Sequence, residues 1–349
     1  MARRLRRTTF AHLSIDDPFF DSLKEGYEEF SNWFARKADE PLYVVDDDNE
    51  LSGMIYLKLE YGVVSDVEPA LPDQKWLKVG TLKIVGRGTK LGERVLKKIF
   101  DTAIAENADG IYITVFDVHE DLLNLFQRYG FRRAAIKRTR NGTEIVLTRL
   151  FDNTLGDIVS DYPLIKTLNR KFWLLAVYPE YHSQLLPDSI LNNESREILE
   201  DVSHTNTIHK MYIGRLALTR MSPGDAVVLY RTSDNQGPAY YRSVATSICV
   251  VEQVKGKRDF TSATDFVEYA KIQSVFSEDD LRDKFTAWDR LYTAKMTYNV
   301  AFTRRLTRGY LLDDLGISEQ PRWDLRELTS AQFRSIAQAG NVNARYFID

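Results

Sequence analysis

The chain is poor in cysteine. Its 349 residues include one, Cys249, so no intrachain disulfide can form. Its five histidines are scattered, and the nearest pair, His204 and His209, would fall on different helix faces, so no metal site is expected. No apolar run approaches the roughly 18 residues that a membrane helix requires. The start MARRLRRTTF carries no apolar secretory segment, and a cytoplasmic protein without a membrane partner is expected. An excess of one charge is also missing. The net charge of -3 gives no global sign of nucleic-acid binding, so such a partner would have to be met locally. The remainder, 44% hydrophobic and 28% charged, is globular material whose length favours two domains. Oligomeric state is not readable from it.

The pattern divides near residue 150. Before it lie a strand near residues 6–9 and helical segments through DDPFFDSLKEGYEEFSNWFARKA, with Phe19, Leu23, Tyr27, Phe30 and Phe34 at helical spacing. Two strands flank the acidic turn at 46–50, WLKVGTLKIV alternates as a strand, and GIYITVF is a short buried one. VHEDLLNLFQRYGF predicts a helix ended by Gly130, and the stretch from Arg132 predicts a hairpin turning at Asn141 and Gly142. Residues 1–150 thus read as one mixed α/β domain, 151–164 as a linker and 165–349 as a second domain.

The segment GRGTKLGERVLKKIF, residues 86–100, puts Gly86, Gly88 and Gly92 just ahead of a helical pattern. Glycines there let backbone amides approach an anion at a helix N-terminus. Spacing decides among phosphate loops. GxxxxGK followed by Ser or Thr does not occur, and two-then-four spacing is one residue too long for GxGxxG. The run Arg87-Gly88-Thr89-Lys90-Leu91-Gly92, followed by the strand GIYITVF and the helix end LFQRYGF, resembles the coenzyme A loop and following elements of GNAT-superfamily N-acetyltransferases, with Lys90 replacing a glycine. The resemblance covers residues 6–149. It implies acetyl-CoA as cofactor, bound by Leu82, Ile84, Val85, Arg87, Gly88, Thr89, Lys90, Leu91, Gly92, His119 and Phe126. It also implies that the strand before the loop splays from GIYITVF, freeing backbone at 81–85 for the pantetheine arm.

Acetyl transfer needs a proton acceptor for the amine and a donor for the leaving thiolate. The family's usual acid, a tyrosine four residues before the helix-end glycine, is replaced by Phe126, which has no proton to give, and Tyr129 points to another helix face. His119 is the candidate acid or coenzyme ligand, or else a plain surface histidine. Glu60 and Glu68, with Asp66, are the base candidates, against the alternative of solvated carboxylates.

Beyond residue 165, KFWLLAVYP, PGDAVVLYRTSD and GPAYYRSVATSICVVEQV read as strands. They resemble the PUA-like superfamily that includes ASCH and EVE domains, through the Gly224-Asp225 turn and the LYRT strand ending. The implied fold is α/β plus mainly β: an N-terminal GNAT mixed sheet with a C-terminal PUA-like β-barrel bearing helices. Residues 151–349 carry 24 Lys and Arg against 26 Asp and Glu. Arg231, Tyr240, Tyr241 and Arg242, expected on paired strands, and Arg304, Arg305 and Arg308 nevertheless offer faces that could hold an unstacked base; the alternative is half-buried tyrosines and acid-paired arginines. YHSQLLPDSIL, with His182 and Asp188, reads as a packed loop. The expected function is N-acetylation of an amine carried by or associated with nucleic acid, such as RNA or aminoacyl-tRNA in the manner of toxin relatives. The alternatives are a non-catalytic GNAT scaffold with a nucleic-acid reader, and a protein or small-molecule acetyltransferase.

Overall fold

The computed structural model describes residues 4–47, 50–85, 90–152, 154–186, 189 and 207–349. Two compact units divide the chain, Met1–Leu155 and Gly156–Asp349.

The first unit is built on strands β1 (Arg4–Thr9), β2 (Pro41–Asp47), β3 (Glu50–Val64), β4 (Leu71–Ile84), β5 (Gly110–Phe116), β6 (Arg132–Thr139) and β7 (Gly142–Leu150). They form one sheet in the order β1-β2-β3-β4-β5-β7-β6, antiparallel except for the β4–β5 pair. The helical segments expected across 16–38 are two short helices after a capped turn. Asp17 accepts from the Phe19 amide (2.8 Å) and caps a short turn. Helices α1 (Asp21–Gly26) and α2 (Phe30–Arg36) follow, separated where Gly26, a poor helix former, precedes an extended Tyr27. The break lets Phe19, Phe20, Phe30 and Phe34 converge on Phe10 and Tyr56 over one sheet face. Helices α3 (Leu91–Ala105) and α4 (Glu120–Arg128) complete the unit. Val95, Leu96, Ile99, Phe100 and Ala103 make α3 amphipathic and are buried. Gly130, at φ 82°, takes the left-handed position just past α4, where a side chain would be strained.

In the second unit, the strands are β8 (Ile165–Lys166), β9 (Phe172–Val177), β10 (His209–Gly214), β11 (Ala226–Arg231), β12 (Val244–Gly256), β13 (Tyr292–Thr307), β14 (Leu325–Leu328) and β15 (Phe347–Ile348). The helices are α5 (Pro179–Leu185), α6 (Ala239–Arg242), α7 (Ala263–Ala270), α8 (Glu278–Ala287), α9 (Arg308–Asp313) and α10 (Ser330–Ala339). Six strands pair in the order β10-β13-β12-β11-β9-β14, and β8 pairs with β15. Among the described residues this order does not close, so the expected barrel is an open sheet there. Its core gathers Trp173, Leu175, Val227, Leu229, Cys249, Met296 and Tyr298.

One further expectation is corrected. The long strand read across 237–254 starts only at Val244, because Pro238 opens the short helix α6. The Gly224-Asp225 turn serves the fold directly: Asp225 accepts from the Trp173 indole (2.9 Å) and the Ser222 amide (2.9 Å), tying the turn to β9. Within the stretch read as a linker, Tyr162 is buried and its hydroxyl donates to the Tyr298 carbonyl (3.1 Å).

Candidate active site

A single residue sets the geometry of the site. In the β3–β4 register, Leu57 faces Val79 and Tyr56 faces Thr81, so Gly80 is an extra, bulged residue on β4. A side chain there would collide with Tyr56: a Cβ on Gly80 would lie 2.7 Å from Cδ1 of that ring. The parallel β4–β5 ladder ends at the same level, with Val79 opposite Ile113 as its last pair, although both strands run on. Residues 81–84 keep their pairing to β3, while β5 follows β7. The strands therefore part from Gly80 and Thr114 onward. A cavity of about 380 Å³ adjoins the split, lined by Gly80, Thr81, Leu82 and Thr114, among others.

Charged groups cluster on the cavity wall. Glu60 of β3 receives the Tyr112 hydroxyl and pairs with Lys58 (3.1 Å) and Lys78 (3.4 Å). Burial pushes its carboxyl up, but the Tyr112 hydrogen bond and the two ammonium groups outweigh that and hold it below the ordinary carboxylate range. Burial and the Glu60 hydrogen bond push the Tyr112 hydroxyl far up, so it stays protonated. A second pair lines the same cavity. The hydroxyl of Tyr27, between α1 and α2, donates to Glu144 of β7 (2.9 Å) and is raised by burial and then by the Glu144 charge. Asn141 of the β6–β7 turn donates to Glu29 (3.1 Å), joining that turn to the helix pair. Tyr27, Tyr112 and Glu144 were not singled out in the sequence. Tyr27 and Tyr112 read there only as apolar positions, and Glu144 as an alternating hairpin residue.

The expected residues fall unevenly. Leu82 lines the cavity, Ile84 ends β4, and Val85 is half-exposed with its amide on the Ser52 carbonyl (2.8 Å). Arg87, Gly88 and Thr89 lie outside the described residues. Lys90 caps α3 at φ 54°, the left-handed conformation that a glycine adopts without strain. Its ammonium stands 3.8 Å from Glu93. Leu91 is buried and can offer a ligand only its backbone. Gly92 answers to packing: a Cβ would come 2.9 Å from Leu125 of α4, so this glycine is explained by the helix contact as well as by any phosphate.

Phe126 is buried edge-on against Phe131 (4.8 Å). His119 is exposed at the start of α4, its ring making no hydrogen bond among the described residues. Glu60 is in the cavity wall. Glu68 is not: its exposed carboxylate pairs with Arg138 (3.3 Å), and Asp66 pairs with Lys137.

The second unit does not gather its expected cluster on paired strands. Arg231 is buried on β11, whereas Tyr240, Tyr241 and Arg242 form the short helix α6. Arg242 is committed to Asp234, whose carboxyl it holds well down, and the Tyr240 hydroxyl is committed to Asp313. The Arg304 guanidinium lies over the Tyr310 ring (4.5 Å), and Arg305 is half-buried. Asp188 and His204 lie outside the described residues. Two hollows carry aromatic and cationic groups instead. A groove of about 540 Å³ is lined by Tyr178, Tyr230, Thr232, Arg308, Arg322 and Trp323. A cavity of about 510 Å³ shares Tyr178, Arg322 and Trp323 and adds Tyr212, Phe276 and Trp288.

Residues 7–131 match the model of the acetyltransferase (GNAT) family. This part of the chain is a GNAT acetyltransferase domain. The matched unit is accordingly that of an acyltransferase. No curated protein matches the chain. Among solved structures, it is similar to a GNAT family acetyltransferase from Elizabethkingia anophelis with acetyl-CoA bound, at 17% identity and a TM-score of 0.32, over 42% of this chain and 97% of that one. It is also similar to IAA acetyltransferase from Bacillus cereus, at 14% identity and a TM-score of 0.33, over 43% and 99%. A third likeness is to ASCH from Zymomonas mobilis, at 12% identity and a TM-score of 0.34, over 49% and 96%. No function is taken from likenesses of this size. Among the described residues no helix is long and apolar enough to cross a membrane.

Proposed function

We propose that this chain transfers acetyl groups to an amine carried by or associated with nucleic acid, such as an aminoacyl-tRNA. The observation that carries the acetyl-transfer part is the split at Gly80, where β4 leaves β5 beside a cavity. Backbone groups of residues 80–84 that no longer face β5 would pair with the pantetheine arm. Amides at the start of α3 and the Lys90 charge would meet the pyrophosphate. The residues present suit acetyl-CoA, which supplies the activated acetyl group.

Glu60 is the base on this reading, accepting the amine's proton directly or through water, with Lys58 and Lys78 keeping it ionised. Phe126 has no acidic proton, so the thiolate takes its proton from elsewhere; the exposed His119 is the candidate. The nucleic-acid part rests on the second unit, whose groove sets the guanidinium of Arg308 over Trp323 (4.6 Å) and adds Arg322 and Tyr178. Such faces suit a planar base with its phosphate.

Calorimetry with acetyl-CoA tests the first part. Gly88→Asp, which brings a carboxylate to the pyrophosphate position, is expected to abolish binding in a folded protein; unchanged affinity would remove the site from this segment. Gly92→Asp would not discriminate, because Leu125 packs against that glycine. Turnover absent in a chain that still binds acetyl-CoA would favour a non-catalytic scaffold.

A further inference from the structure

We propose that Glu144 receives the ammonium group of the acceptor, and that the acceptor carries an aromatic or bulky apolar group next to its amine. This assignment rests on the acetyltransferase reading of the first unit.

Glu144 is 4% exposed, yet it makes no ion pair among the described residues. The cationic residues of the cavity wall are spent elsewhere. Lys137, which the β6–β7 register sets opposite Glu144, turns to Asp66. Lys58 and Lys78 hold Glu60, and Lys37 pairs with Glu40 (3.4 Å). Glu144 has one hydrogen bond, to Oε1 from Tyr27 (2.9 Å), and its Oε2 has none among the described residues. A carboxylate oxygen on a cavity wall with no cation beside it is a ready receptor for one. In a cavity that must admit an amine, a protonated amine would supply that cation with a charge-assisted hydrogen bond to Oε2.

The rest of the wall sets the carrier's chemistry. Tyr27, Phe30, Trp33 and Tyr56 line the same cavity, so an acceptor whose ammonium reaches Glu144 lays its neighbouring group on rings. Asn141, bonded to Glu29, holds the β6–β7 turn against the α1–α2 segment that carries Tyr27, Phe30 and Trp33. Glu144 is thus a specificity residue, distinct from Glu60: one carboxylate with an open oxygen and no cation, the other saturated by two lysines and a tyrosine.

The test is calorimetry on the full chain with three probes: 2-phenylethylamine, its neutral analogue 2-phenylethanol, and n-butylamine. The amine with the ring is expected to bind, and each of the other two to bind at least tenfold more weakly. Glu144→Gln should weaken 2-phenylethylamine at least tenfold and leave acetyl-CoA affinity in place. If Glu144→Gln does not fold, the comparison of amine with alcohol on the parent serves as the test. Equal binding of alcohol and amine, no binding of 2-phenylethylamine by the parent, or undiminished binding by Glu144→Gln would overturn the assignment. Loss of acetyl-CoA binding in the parent would instead overturn the acetyltransferase reading on which it rests.

Discussion

At the residue scale, Lys90 shows the cost of departing from a glycine. It stands at φ 54°, where an L-residue is strained by about 1 to 2 kcal/mol. Lys90→Gly removes that strain and gives some back as unfolded-state freedom, so a net gain of about 0.5 to 1 kcal/mol is expected in urea unfolding. Lys90→Ala, which keeps the strain, should give no such gain.

His182 gives a second prediction. It is fully buried, bonded through Nε2 to Thr246 (2.8 Å), and held down to about 3 by burial and by the charges of Arg231 and Arg305. The unfolded chain takes up a proton near pH 6.5 that the folded one resists, so this contribution is whole above pH 6.5 and is lost as pH falls toward 3. Stability of the parent should fall by about 1.4 kcal/mol per pH unit inside that window through this group alone. In His182→Gln, stability at pH 7 should be lower and the fall between pH 6 and 5 shallower; an unchanged slope would contradict the assignment.

At the scale of elements, the split between β4 and β5 is held open by a bulge that depends on a residue without a side chain. Gly80→Ala should force the Tyr56 ring toward the cavity, raising the acceptor's KM several-fold while acetyl-CoA affinity moves little. Steady-state kinetics with each substrate varied in turn separates the two. Strand, loop helix and Gly-Phe helix end could be read in order from the sequence, because alternation, helical spacing and a terminal glycine are local signals.

The bulge could not be read. Gly80 is one glycine within an alternating strand, and what fixes it is Tyr56 on the neighbouring strand. Glu144 and Tyr27 were illegible for the same reason: 117 positions separate them, and only the fold makes them a pair. Helix α6 escaped because Tyr240, Tyr241 and Arg242 suit a strand by composition, and the preceding Pro238 decides otherwise. Gly92 was read for phosphate alone because its neighbour Leu125 belongs to another helix.

At the scale of the whole molecule, the features tied to acetyl-CoA lie in Met1–Leu155, and the aromatic and guanidinium hollows lie in Gly156–Asp349. A fragment ending at residue 155 is expected to bind acetyl-CoA like the full chain but to lose activity on a nucleic-acid-borne amine. Arg308→Ala and Arg322→Ala in the full chain should each weaken an RNA acceptor by about 1 to 3 kcal/mol if they make charged hydrogen bonds, with binding that falls as salt rises. Filter binding across a salt series reads both effects. Full activity of the fragment on the true acceptor would assign the second unit another role.

The most direct measurement of the central claim is mass spectrometry of total tRNA and total protein after incubation with the full chain and isotope-labelled acetyl-CoA. The expected result is labelled acetyl on an amine of the nucleic-acid fraction, lost when Gly88→Asp replaces the parent. Label confined to protein, or no label in either fraction from a chain that binds acetyl-CoA, would contradict it.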